Sequence, residues 1–188
     1  MVDILGGLAS ETPTSSFLAF KAHDLKWYVG EEQIDFNYLQ VDPATFLSGW
    51  GKYDSAARQF VFEWDDAFGK PKERPAEDFK RSFSCWVFPD TAKRPLLWQR
   101  FSYGESTGFN SLLDTFWHDK EGREGLPVVE FMGAKHIQVG AGKSAEMHWS
   151  LAKWSQRNPD FIIPEWADNV DVGNQETHKG LTDDDIPF

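Results

Sequence analysis

Only one cysteine, Cys85, stands in the 188 residues, so no intrachain disulfide can form and a reducing, cytosolic setting is expected. It lies between Ser84 and Trp86 in a strand-like run and reads as a small apolar core residue. No stretch of about 18 apolar residues is present and no signal peptide is seen, which argues against a membrane span and against export. Histidine is scarce and scattered, at His23, His118, His136, His148 and His178. With no Ser or Cys in a recognisable nucleophile setting, no triad can be built. Glu63, Asp65 and Asp66 have no His beside them and read as a solvated acidic loop rather than a metal site. Gly140-Ala-Gly-Lys-Ser144 looks like the end of a phosphate loop, but Ile137 stands where its first Gly is needed, so a hairpin turn is expected. Catalytic residues, metal and cofactor are therefore not expected, and the chain is not read as an enzyme. Basic residues are also short, 19 against 30 acidic, for a net charge of −11. By itself that argues against a nucleic-acid binder.

What the chain has in abundance is aromatic side chains, with nine Trp and 16 Phe. A core of large rings accounts for many of them. Trp is rarely covered completely, so some rings are expected near the surface, where they can stack on bases. The positive charge is also concentrated. Residues 70–100 hold 8 basic and 4 acidic groups, while residues 1–69 hold 4 and 11.

Residues 1–16 are small and polar and read as a flexible arm. Strands are expected at 17–20 and 25–29, and a hairpin over 45–53 and 59–64. Residues 65–78, DDAFGKPKERPAED, have the composition of an exposed loop. A long strand over 79–88 and a second over 96–103 follow. Alternation puts Phe79, Phe83 and Cys85 on one face of the first and Lys80, Ser82, Ser84 and Trp86 on the other. One helix is expected from a cap at Ser106 or Thr107, with Phe109, Leu112, Leu113, Phe116 and Trp117 as its apolar stripe. Strands over 126–132 and 146–154 complete the body, and 135–139 can join them. Residues 167–188 carry few large apolar groups and read as a disordered acidic tail. The expected class is mainly β with one or two helices (α+β). Strands, one late helix and more strands fit an OB-fold-like antiparallel barrel spanning 17–166.

The last six residues are Asp183-Asp184-Asp185-Ile186-Pro187-Phe188. Phe188 can fill an apolar pocket, its terminal carboxylate can pair with an Arg, and the aspartates can steer toward a basic patch. Pro187 restricts the free peptide and lowers the entropy lost on docking. This hexapeptide resembles the C-terminal tip of bacterial single-stranded DNA-binding proteins. The resemblance implies recruitment of helicases, exonucleases, primosome proteins or polymerase subunits. The body is more similar to phage and prophage single-stranded DNA-binding proteins, through Ser48-Gly-Trp-Gly51 and Pro127-Val-Val-Glu130 within residues 45–155. That similarity implies a phage-encoded protein acting in the bacterial cytoplasm, coating DNA during replication and recombination, with a homodimer allowed. The alternative is a decoy that copies the tip and captures host enzymes without touching DNA.

A single-strand binder needs cations for phosphates and ring faces for bases. The expected DNA surface is Lys72, Arg74, Lys80, Arg81, Phe83, Trp86, Lys93, Arg94, Trp98 and Arg100, with the loop Lys70–Arg74 as a clamp. It requires Lys80 with Trp86, and Trp98 with Arg100, to share the barrel face. The competing expectation is that Trp86 and Trp98 point inward. Trp27, Trp50 and Trp64 rank lower, because Glu63, Asp65 and Asp66 stand near them in the chain.

Overall fold

The computed structural model describes residues 16–165. Residues 1–15 of the arm, the tail from 167 and the tip Asp183–Phe188 therefore lie outside the described residues. The alternating apolar pattern becomes ten strands: β1 Phe17–Lys21, β2 Lys26–Val29, β3 Glu32–Ile34, β4 Tyr38–Val41, β5 Leu47–Asp54, β6 Gln59–Trp64, β7 Lys80–Pro89, β8 Leu96–Arg100, β9 Leu126–Val139 and β10 Gly142–Ser155. One α-helix, α1, spans Tyr103–Asp114. The described residues are thus mainly β with one helix, and none of their helices is long and apolar enough to cross a membrane.

The strands form one sheet in the order β10-β9-β4-β7-β8-β1-β2-β3, with β5 on β7 and β6 on β5. β7 organises it. Its last residues pair with β4, its first with β5, and its other edge with β8. The sheet is open, ending at β10 and β3, and β1 pairs with β8 in parallel. The expected antiparallel barrel therefore does not close as a hydrogen-bonded ring. Curl still brings the two ends over a shared core, where Trp27 of β2 meets Trp149 of β10 at 6.0 Å and Phe131 of β9 at 5.6 Å between ring centroids.

The helix begins earlier than its composition suggests. Ser102, not Ser106 or Thr107, is the N-cap, and its Oγ accepts from the Glu105 amide at 3.3 Å. Ser102-Tyr-Gly-Glu105 has capping-box spacing. Gly104 and Gly108, poor helix formers, are kept because the helix lies close against β10. A Cβ on Gly104 would sit 2.6 Å from Ser144 Oγ, and one on Gly108 2.4 Å from Met147 Sδ. The helix ends at Asp114, but Phe116 and Trp117 of the expected stripe still pack on the core from the turn that follows.

Burial is two-sided at β7–β8. Phe83, Cys85, Val87, Leu96 and Trp98 face the main core with α1, β1, β2 and β10. Trp86, Phe88 and Leu97 face a second, smaller cluster completed by Phe161, which comes after β10. That returning segment is fastened by Gln40, whose Oε1 accepts from the Asn158 amide at 2.8 Å, and by an Arg157–Asp42 ion pair. Burial raises the Cys85 thiol pKa well above the ordinary range, so it stays protonated. Between β9 and β10, Gly140 has φ +58° in a two-residue loop, so Gly140-Ala-Gly-Lys-Ser144 is a hairpin turn.

Candidate functional site

The aromatic part of the expected DNA surface is core. The Phe83 ring is stacked on Phe109 at 4.3 Å and meets Trp98 edge-on at 4.9 Å. Trp98 is fully buried, and its indole N–H donates to Glu105 Oε1 at 3.1 Å. Trp86 is sealed against Phe88, Leu97 and Phe161. Register explains the error. Cys85 is opposite Trp98, Trp86 is opposite Leu97 and Phe83 is opposite Arg100. Trp98 and Arg100 therefore lie on the Phe83–Cys85 face, and Lys80 and Trp86 lie on the other. The two ring–cation pairs never share a surface, and none of the three rings offers a face to a base.

The cations are also divided. Arg100, mostly covered, pairs through Nε with Glu105 Oε2 at 3.3 Å. Glu105 also accepts from the Phe20 amide and from Ser102 Oγ. Burial outweighs these contacts and raises its pKa. Arg81 makes a two-pronged pair with Asp65, Nη1 to Oδ1 at 3.2 Å and Nη2 to Oδ2 at 2.7 Å. Burial alone would raise the Asp65 carboxyl. Arg81, the Ser48 hydroxyl and the Lys72 amide together hold it below the usual carboxylate range. Lys72 Nζ pairs with Asp66 at 2.7 Å and Lys52 with Asp78 at 2.9 Å. Arg74 donates to the carbonyls of Phe79 and Glu77. Lys93 and Arg94 sit in the turn beyond Pro89. At about 3.3 Å per residue, the ten residues of β7 put that turn roughly 30 Å from Lys80. The basic window is thus not a stripe. Lys72 and Arg74 are brought together with Arg81, while Lys93 and Arg94 stand apart.

What these groups build is a fastened loop. Residues 65–79 cross the face of β5 and β7 that carries Trp50 and Arg81. Trp50 donates its indole N–H to the Lys72 carbonyl at 2.9 Å and lies under two guanidiniums, Arg81 at 5.0 Å and Arg74 at 5.8 Å from its ring. The amides of Gly69 and Lys72 donate to Ser48 Oγ and Asp65 Oδ1. The Lys70–Arg74 segment is held by this network.

The opposite face of the same hairpin carries rings that sequence reading ranked low or passed over. Register places Tyr53 opposite Phe60, Gly51 opposite Phe62 and Gly49 opposite Trp64, so all six share a face. Phe62 and Trp64 are stacked at 5.0 Å with planes 6° apart, and Phe60 and Phe62 both touch Phe101. The two glycines are the floor of this ladder. A Cβ on Gly51 would lie 2.8 Å from the Phe62 ring and one on Gly49 2.9 Å from Trp64. Phe62 is buried, whereas Tyr53, Phe60, Trp64 and Phe101 are half-buried. Lys80, paired with Gly51, and Ser82, paired with Gly49, lie on this face. The carboxylates beside Trp64 do not. Glu63 points to the other face and Asp65 is turned to Arg81. The signal in the sequence was Gly49-Trp-Gly51 facing the alternating Phe60, Phe62 and Trp64. Trp27, the remaining lower-ranked ring, is buried in the core.

Among the described residues, no group of three or more His, Cys, Asp or Glu is gathered to hold a metal. Comparison with protein families, with curated proteins and with solved structures finds no match for this chain.

Proposed function

We propose that this chain binds single-stranded DNA and recruits replication and repair enzymes through Asp183–Phe188. The observation that carries the reading is the hexapeptide DDDIPF, three carboxylates followed by Ile-Pro-Phe. An apolar ring with an acidic lead-in suits a pocket rimmed by basic residues. The body is compatible with the DNA half of the proposal, since it holds a curled sheet with half-buried rings and cations at its margin. A distant OB-fold relationship belongs to the same proposal, supported by the curl that brings β2 to β9 and β10. So do a phage origin and action in the bacterial cytoplasm.

One observation favours a second reading, the tip-bearing decoy. Arg81, Lys72, Lys52 and Arg100 are each matched by a carboxylate within the fold, which reduces the charge offered to phosphates. A titration separates the two. Labelled oligo(dT) should bind the full chain at low salt and be released as salt rises. Removing Phe188 should abolish capture of a helicase known to bind such tips and leave DNA affinity unchanged. Tip-dependent capture without oligo(dT) binding selects the decoy, and absence of both defeats the proposal.

A further inference from the structure

We infer that the glycine-floored ladder on β5–β6 is a stacking surface for the bases of a single strand, with Lys80 beside it for phosphate. The inference rests on the reading that the chain binds single-stranded DNA.

Three features of this face point to that occupant. First, its rings follow the strand direction. Phe60, Phe62 and Trp64 occupy alternate positions of β6, about 6–7 Å apart along the strand. Tyr53, opposite Phe60, and Phe101 flank the row at 5.2 and 5.4 Å from the Phe60 ring. Phe62 is buried and supports the row, while the half-buried Phe60, Trp64, Tyr53 and Phe101 are the rings that can meet bases, without regard to sequence because every base has a π-face. Second, charge is sorted by register. Asp54 and Glu63, the carboxylates of the hairpin strands, take the opposite face. Lys80 is on the ladder face, in the row Phe62–Gly51–Lys80. A surface of apolar rings with a cation at its edge and acid turned away suits a polyanion that carries flat apolar groups. Third, the glycines hold the ring row close to the sheet. A Cβ at Gly51 would meet the Phe62 ring at 2.8 Å, and one at Gly49 would meet the β6 backbone at Glu63 O, 2.4 Å away, before the Trp64 ring at 2.9 Å.

The test uses the full chain and oligo(dT) carrying 5-bromodeoxyuridine. Photocrosslinking followed by peptide mapping should place the adduct within residues 59–64 or at Phe101. In anisotropy titrations, Trp64→Ala and Phe60→Ala should each weaken binding about tenfold. Trp64→Phe should keep most of it. Lys80→Gln should weaken binding less and make it less sensitive to salt. Where an alanine variant fails to fold, by circular dichroism, the crosslink alone decides. If oligo(dT) binds but the adduct lies elsewhere and Trp64→Ala binds like the parent, the ladder is not the site while the DNA-binding reading stands. If the full chain binds no oligo(dT), both fall. Should Trp64→Ala instead turn a dimer into a monomer at unchanged DNA affinity, the face is a contact between copies and the inference is overturned.

Discussion

Two aromatic hairpins sit side by side on β7, and they differ in what covers them. The β7–β8 pair is enclosed on both faces, by the main core and by the segment around Phe161. The β5–β6 hairpin is covered by its charged loop on one face and half-open on the other. Similar sequence patterns, Trp and Phe alternating with polar residues, thus give a sealed core in one place and an accessible row in the other. The difference is made by residues remote in the chain. Trp86 is enclosed by Phe161, while nothing comparable among the described residues covers Trp64. Cations follow the same rule. Arg81 and Lys72 are basic in the sequence but locally neutral in the fold.

Replacing one ring in each hairpin tests this contrast most strongly. Trp98→Ala should cost about 3–5 kcal/mol in urea denaturation, because it opens a cavity in a dry core and strips Glu105 of a donor. A cost below about 1 kcal/mol would mean that β7–β8 is far looser than described. Next comes Asp65→Asn, which removes the charge that fastens the loop. We expect a loss of about 1–3 kcal/mol and faster hydrogen exchange at the Gly69 and Lys72 amides. Because the folded pKa of Asp65 is lowered, its contribution is present above the unfolded carboxylate range. It is lost as pH falls through the folded value. The stability gap between the parent and Asp65→Asn should therefore begin to narrow only below the ordinary Asp pKa of about 3.9 and close as pH falls through the lower folded value. On the ladder side, Gly51→Ala should cost about 1–2 kcal/mol by displacing the Phe62 ring or Ser82 Oγ. The smallest effect is expected from Trp64→Phe, under about 1 kcal/mol by thermal denaturation, since the half-open ring loses little buried area. If Trp64→Phe proved as damaging as Trp98→Ala, the two hairpins would be equivalent and the comparison would fail.

Much of the strand pattern was legible because period-two alternation is local. The hairpin over β5 and β6, the length of β7 and the face assignments along it all follow from nearest-neighbour chemistry. The strands β3 and β4 were missed. Glu32–Ile34 is short, and Leu39, Gln40 and Val41 of β4 are buried between β7 and β9, strands remote in the chain. The start of α1 was expected about one turn too late, at Ser106 or Thr107, whereas Ser102 caps it and the absence of a Cβ at Gly104 and Gly108 lets β10 approach. The candidate site was legible in kind but not in place. Ring-plus-cation windows can be counted along a sequence, but which rings are sealed depends on Phe161, and which cations are neutralised depends on Asp65, Asp66 and Glu105. Adjacency also misled in the other direction. Glu63 seemed to spoil Trp64, yet a one-residue step in a strand reverses the side of the sheet.

The parallel joining of β1 to β8 carries a consequence for biogenesis. The Phe20 amide is satisfied by the carboxylate of Glu105, 85 positions later. β1 therefore has no native partner for that edge until β8 and the start of α1 have been made. Until then Leu18 and Phe20 pair only with β2, in a small meander of β1, β2 and β3. The β1–β8 joining is thus a non-local contact, of the kind whose closure slows folding.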